Sequence, residues 1–443
     1  MFATIIAVFI TLWGIASYVQ HRKSSFVIAV FLLASCCIFL IPKSVMLEDL
    51  AIVMVVAAIL FDLSQGKKVF SLKGDSVGKI IVILLIYYLI AVVWTVIQGL
   101  ETLVDALKVY RRDLFYLYYF VFKTLSVTDL KKLYKPLLVL TVIGGVLYYL
   151  QFAGICVLTD IDKSTEVAKG GFAKYQNIPM LGIPFMIYFI VRKEETSFWA
   201  LLFWVGFQIV PMSRGGIIAA VIALTYYVIV SGRNRAYKHL FVKVLALVLL
   251  FSPILLFRFI KDNDRGTAAQ DIKSAYSITD FSDFNYSDGG TFTFRIALAL
   301  ERINYMWENK ETIPMGVGVI HEQSPNNVFD FYIGTDFITS DGEFKRQSID
   351  TEDIAYISHL FRYGVIYLIL FIIFIRVAFI LLRADIKDNA ISAVGFIMFL
   401  ILVINSLTSD CFSFMRLMFV PLLCMAIIQT CNKEDLNRLF PVK

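Results

Sequence analysis

The chain has 443 residues, of which 59% are hydrophobic and 17% charged, with a formal net charge of +6 and a mean hydropathy of +0.75. One globular core cannot hold that much apolar surface, so a soluble enzyme or a soluble nucleic-acid-binding protein is excluded and lipid is the expected solvent. The basic residues sit in short loops between apolar runs, a pattern that reports topology rather than a polyanionic partner, so no nucleic acid is expected.

Taking about 20 apolar residues as one crossing, spans are expected near 2–20, 26–42, 47–62, 80–97, 113–127, 136–157, 176–191, 198–211, 214–231, 241–258, 356–375, 391–408 and 412–430. The fold class is therefore all-α, a polytopic integral membrane protein of about 13 transmembrane helices. Strand alternation, the mark of a barrel, is absent. The run Phe2 to Val19 has no charged segment before it, since the first formal charge is Arg22, so it reads as a retained span rather than a cleaved signal. Three regions follow: N-terminal transmembrane helices over 1–259, a long extracytoplasmic loop over 260–353, and C-terminal transmembrane helices over 354–443.

Alternate loops differ sharply in charge. One set carries 22 lysines and arginines, and the short loops opposite carry 8. The bias places the C-terminus in the cytoplasm, the N-terminus outside, and the long loop outside. The fifth span, 113–127, is pivotal, because its absence would invert everything before it. Six cysteines occur, none in the long loop and none in a Cys-x-x-Cys or Cys/His metal spacing, so neither a disulfide framework, a metal nor another cofactor is expected.

Arginine on the outer side runs against the insertion bias, so each one there asks for a reason. Arg111 and Arg112 adjoin Asp113 at the mouth of the aromatic run Leu114 to Phe122, a placement that also suits interfacial snorkelling. Arg214 lies in Pro211-Met212-Ser213-Arg214-Gly215-Gly216, where Ser213 can cap the following helix; free helix-start amides and a guanidinium together suit an anion. Over 292–310, Ile296, Leu300, Ile303 and Trp307 recur at helical spacing, predicting an amphipathic helix on the membrane-side surface. Arg295 and Arg302 share one flank of it, within reach of one ligand or simply solvated.

Ile313 to His321 forms a glycine-containing turn with the wrong context for a nucleotide loop. Asp350, Glu352 and Asp353 then precede the apolar run from Ile354; such acids serve as helix caps or, opposite outward arginines, as part of a site. His359 and Arg362 continue a rough helical stripe from Glu352, and His359 also fits a packed polar role inside the bundle.

The order Ser213-Arg214-Gly215 opening a span, Arg295 with Trp307, Pro314-Met315-Gly316-Val317-Gly318, and acids before Leu360-Phe361-Arg362-Tyr363-Gly364 resembles the O-antigen polymerase and O-antigen ligase family, mainly over residues 200–380. The resemblance implies a GT-C-like glycosyltransferase of the bacterial cytoplasmic (inner) membrane, its active site facing the periplasm or cell exterior. Its substrate would be an undecaprenyl-diphosphate-linked oligosaccharide in a membrane groove, and a chain-length regulator and a flippase would be pathway partners.

In that reading Arg214, Arg295, Arg111, Arg112 and Arg302 bind the diphosphate, and Asp353, Glu352 or His359 takes the acceptor hydroxyl's proton. The ligases resemble one another in a His-Asn pair ahead of the helix glycine; counting eleven residues back from Gly364 lands here on Asp353. That departure favours polymerase and leaves His321 and His359 secondary. Ligation to a lipid or protein acceptor is the same chemistry with another acceptor, and a lipid-linked-sugar transporter is the rival from a different class.

Overall fold

The protein is seen as a computed structural model that describes residues 2–35, 45–153, 155, 167–168, 172–173, 182–192, 203–204, 206, 214–231, 273–276, 278–284, 291–334, 336–338, 344–346, 348–349, 353–413 and 415–442. Among these, regular structure is helical except for two short antiparallel ribbons, Val167–Ala168 with Phe172–Ala173 and Asp336–Ile338 with Phe344–Arg346. The helices are α1 (Phe2–Val19), α2 (Lys23–Ala34), α3 (Val45–Ser64), α4 (Ser76–Ile97), α5 (Leu103–Tyr110), α6 (Tyr118–Phe122), α7 (Val127–Phe152) and α8 (Gly182–Arg192). They continue as α9 (Arg214–Ser231), α10 (Thr291–Glu308), α11 (Thr312–Met315), α12 (Ala355–Arg383), α13 (Ala390–Asn405), α14 (Met415–Thr430) and α15 (Lys433–Leu439).

Among the described residues, three helices are long and apolar enough to cross a membrane: α4, α7 through Leu150, and α12. Shorter apolar helices, α1, α2, α9, α13 and α14, accompany them. Exposed apolar side chains such as Phe9, Leu12, Ile97, Ile229 and Ile369 ring these helices, and lipid solvates such surfaces. The spans expected at 198–211 and 241–258 fall almost wholly outside the described residues, as does the second half of the one expected at 26–42.

The expected fifth span takes another form. A 3-10 helix, Arg111–Leu117, leads into the five-residue α6, and the aromatic residues Phe115, Tyr116 and Tyr118 to Phe122 are buried among other helices. The segment still runs between two ends of the bundle, because Arg111 Nε lies 3.2 Å from Asp49 Oδ1 near the start of α3 and Lys123 Nζ lies 2.5 Å from Asp75 at the start of α4. Protein neighbours rather than lipid meet its side chains, so helical regularity is not enforced by an apolar solvent.

Polar contacts sort the helix ends into two sets. At one end Lys23 donates to the Thr124 carbonyl, Lys67 pairs with Asp62, Gln429 donates to the Gly74 carbonyl, and Lys433 pairs with Asp385. At the other, the His321 amide donates to Glu101 just past α4, Arg295 pairs with Asp353, and the Ala355 amide donates to the Ser406 carbonyl past α13. This second set is the end that carries the long loop.

A break in α12 joins loop to bundle. Gly364 (φ 79°, ψ −178°) and Gly316 (φ 73°, ψ −169°) both sit in a backbone region that only glycine occupies readily. Non-helical backbone at Gly364 interrupts the helical ladder, and the Phe361 and Arg362 carbonyls accept from the Val317 amide at 2.9 Å and the Gly318 amide at 3.1 Å. A Cβ on Gly316 would meet the Arg362 carbonyl, and one on Gly364 the Pro314 carbonyl. The turn noted in the sequence at Ile313 to His321 is thus a backbone clamp on α12. From α4, Thr95 Oγ1 accepts from the Val319 amide at 2.8 Å and Tyr87 donates to the Tyr363 carbonyl at 2.7 Å.

Candidate site at the loop end of the bundle

Buried carboxylates hold the irregular part of the long loop. Glu301 accepts from the Tyr332 amide at 2.6 Å and the Ile333 amide at 2.9 Å. Glu322 accepts from the Ser348 amide at 2.7 Å and the Ile349 amide at 3.0 Å. Glu101 accepts from the His321 amide at 3.1 Å and Asn326 Nδ2 at 3.3 Å. A segment without ladders has amides to satisfy, and charged acceptors do so with the strongest bonds at hand. The aromatic cluster of Tyr305, Phe329, Phe331 and Phe361 packs between loop and α12, and burial there pushes the Tyr305 hydroxyl above its ordinary pKa.

Arg302 belongs to this frame. Its guanidinium donates to Glu301 Oε2 at 2.5 Å, the Ser348 carbonyl at 3.1 Å and the Ile333 carbonyl at 2.8 Å, and lies 3.9 Å from the Phe331 ring centroid. At 1% exposed it is turned inside the loop, so it does not share a ligand-facing flank with Arg295 as the seven-residue spacing suggested. The same rotation sets the whole helix: Ala297, Leu298, Glu301 and Arg302 are buried, while Ile296, Leu300 and Ile303 are half-buried and Trp307 is 63% exposed. The buried face of the helix thus mixes apolar Ala297, Leu298 and Met306 with the charged Glu301 and Arg302, and the expected apolar stripe is covered only in part.

Arg295, nearer the helix start, is partly open. Its Nε and Nη2 donate to Asp353 Oδ1 at 3.1 and 2.9 Å, with the two side chains 20% and 29% exposed. Both bonds go to one oxygen, and Asp353 Oδ2 has no partner among the described residues. The residue capping α12 is Ile354, without a side-chain cap bond, so Asp353 engages the arginine instead of the helix start. Glu352 and Asp350 lie outside the described residues.

Two residues past Asp353, the Ala355 amide donates to the Ser406 carbonyl, and the turn that follows α13 reaches the start of α9. A Cβ on Gly215 would lie 2.5 Å from Thr408 Oγ1 and 3.1 Å from Asn405 Oδ1. The Arg214 helix start, the Arg295–Asp353 pair and the α12 start therefore adjoin one another through the 405–408 turn; the Arg214 side chain and Ser213 lie outside the described residues. Arg111 is at the same end of the bundle, beside Asp49, and Arg112 is exposed next to it.

The chain matches no protein-family model, no characterised protein and no solved structure.

One turn into α12 from Ala355, a polar cluster lies inside the helices. His359 is buried within reach of Tyr363, Tyr367 and Phe371, with ring centroids at 6.3, 5.3 and 4.9 Å, and its Nε2 has no hydrogen-bond partner among the described residues. That is the packed environment rather than a loop-facing one. Tyr363 donates to Asp113 Oδ2 at 3.0 Å, Tyr88 and Tyr367 hydroxyls meet at 2.5 Å, and Arg362 Nη1 donates to the Ile320 carbonyl at 2.9 Å. Asp113 and the buried Asp410 and Glu101 are residues that sequence reasoning passed over as possible site members. A carboxylate inside the apolar stretch at 113 was the available signal. Among the described residues no group of three or more His, Cys, Asp or Glu is placed to hold a metal ion.

Proposed function

We propose that the protein polymerises a surface polysaccharide, an O-antigen, capsule or exopolysaccharide, moving a glycan from undecaprenyl diphosphate onto the sugar of another lipid-linked repeat unit. The observation that carries this reading is the Arg295–Asp353 pair, partly open and joined through the 405–408 turn to the Arg214 helix start. It brings a cation, an acid and helix-start amides to one end of an apolar bundle, the combination that a lipid diphosphate leaving group and a sugar hydroxyl require.

In the resting state Arg295 and Asp353 hold each other. An arriving diphosphate competes for the guanidinium, which is suited to bidentate phosphate contact, and so releases the carboxylate. The acceptor hydroxyl oxygen then forms a bond to the anomeric carbon of the donor glycan. The bond from that carbon to the diphosphate oxygen breaks, the leaving diphosphate keeps the electron pair, and Asp353 takes the hydroxyl proton. Arg295 and Arg214 stabilise charge gathering on the leaving group, with Arg111 and Arg112 as further cations at the same end. Arg302 enters this scheme as the support that fixes α10, which carries Arg295. His359 and Glu352 remain secondary candidates for the base.

The reading predicts that cells carrying Arg295→Ala accumulate single lipid-linked repeat units and lose long polymer while the protein is inserted at normal levels. A transporter instead would leave lipid-linked units on the cytoplasmic side of the membrane. Long polymer made at the wild-type level by Arg295→Ala and by Asp353→Asn would overturn the proposal.

A further inference from the structure

At the end of the bundle opposite the long loop, a cavity of about 430 Å³ opens between the starts of α2 and α4 and the ends of α3, α6 and α14. Five lysines line it: Lys23, Lys67, Lys68, Lys73 and Lys123. Two aspartates face them, and each is already committed. Asp62 accepts from the Tyr18 hydroxyl at 2.5 Å and Lys67 at 2.6 Å. Asp75 accepts from the Gly78 amide at 2.7 Å, Tyr119 at 2.8 Å and Lys123 at 2.5 Å.

Both carboxylates are 2% exposed, so the protein fixes Lys67 and Lys123 in place from beneath. Lys23 is tied to the Thr124 carbonyl at 2.6 Å. Lys68 and Lys73 are exposed on the rim and have no ion-pair partner among the described residues. Cations thus outnumber carboxylates in one recess, and a positive-inside bias alone would scatter them over the loops rather than gather them around buried anchors. Phe70, 40% exposed at 4.9 Å from the Phe120 ring, adds an apolar edge beside the basic recess.

We infer that this recess is a phosphate-group site on the face opposite the long loop, taking either the headgroup of an anionic phospholipid from the adjoining leaflet or a soluble phosphate. Lysine ammonium groups bind phosphate as point charges, and polybasic recesses at a membrane surface hold anionic headgroups. The recess is independent of the glycan-transfer site, so this inference does not rest on the proposed activity.

The test uses the full chain in detergent, with dioctanoyl phosphatidylglycerol and inorganic phosphate as separate probes in titration calorimetry. The Lys68→Gln, Lys73→Gln double variant changes two exposed rim lysines and is expected to weaken the probe that binds by about 10-fold or more. A Lys131→Gln, Lys132→Gln double variant makes the same change in net charge on the same face, outside the recess, and is expected to shift affinity less than about twofold. Weakened phosphatidylglycerol with no phosphate binding identifies the headgroup; weakened phosphate binding identifies a soluble ligand. Equal losses in the two double variants, or no binding of either probe by the unaltered chain, would overturn the inference.

Discussion

Replacing Arg302 by methionine separates a loop-holding arginine from a ligand-binding one. The guanidinium donates to Glu301, the Ser348 carbonyl and the Ile333 carbonyl at 2.5, 3.1 and 2.8 Å and covers Phe331. Methionine keeps much of the stem's packing and removes every donor, leaving the Glu301 carboxylate buried with only the Tyr332 and Ile333 amides. Removing one partner of a buried ion pair costs about 3–5 kcal/mol. At about 1.4 kcal/mol per decade, local opening of the loop then becomes about 100-fold more frequent or greater. Arg295→Met breaks a pair whose members are 20% and 29% exposed, for which about 1 kcal/mol or less is expected. Hydrogen exchange on loop peptides reads the difference: amide protection at Tyr332, Ile333 and Ile349 should collapse in Arg302→Met and stay near wild type in Arg295→Met. Protection changed less than tenfold in Arg302→Met would refute the assignment of Arg302 to the loop frame.

Other outcomes follow from the same geometry. Gly364→Ala and Gly316→Ala should each lower the thermal unfolding temperature more than Gly66→Ala, because all three glycines have positive φ but only the first two have backbone where a Cβ would go; the conformational strain alone is about 1–3 kcal/mol, and equal shifts in all three would deny the clamp. A cysteine at Val328, 81% exposed on the loop, should label with an impermeant reagent from outside, while a reporter at Glu434 should report the cytoplasm; both on one side would contradict the topology, and the two sides exchanged would reverse it. The Arg295→Asp, Asp353→Arg double exchange should keep the loop as protected as the wild type yet make no polymer, whereas recovered polymer would reduce the pair to a structural contact.

The sequence made the apolar helices legible, and which loops share an end of the bundle, through simple quantities. Apolar runs placed α1, α3, α4, α9, α13 and α14 within a few residues and the start of α12, which continues to Arg383, past the expected end at 375; the alternation of spans put Glu101, Asp353 and the Arg214 helix start on one side, the end at which they are found together. It also picked out Arg295 and Asp353 separately. Their pairing was not legible, because they stand 58 positions apart and are joined by loop segments without periodicity. For the same reason the inward turn of Arg302 was hidden: periodicity says which residues share a flank of α10, not which flank the 331–333 and 348–349 segments cover. The 3-10 character of Arg111–Leu117 escaped because an aromatic run reads as a span whether lipid or protein surrounds it. Gly316 and Gly364 looked like motif residues, and only three dimensions show the Arg362–Tyr363 backbone filling the space of a Cβ on Gly316 and the Pro314 and Gly316 backbone that of a Cβ on Gly364.

Transfer of a glycan by purified protein tests the central claim most directly. The full chain is incubated with undecaprenyl-diphosphate-linked repeat units, and product length and released undecaprenyl diphosphate are followed together. The account predicts polymer and released diphosphate in equal amounts of linkages for the wild type, and loss of both by at least about 100-fold in Asp353→Asn, the low end of what positioned acid–base groups contribute. Wild-type turnover by Asp353→Asn, Glu352→Gln and the double amide would contradict it.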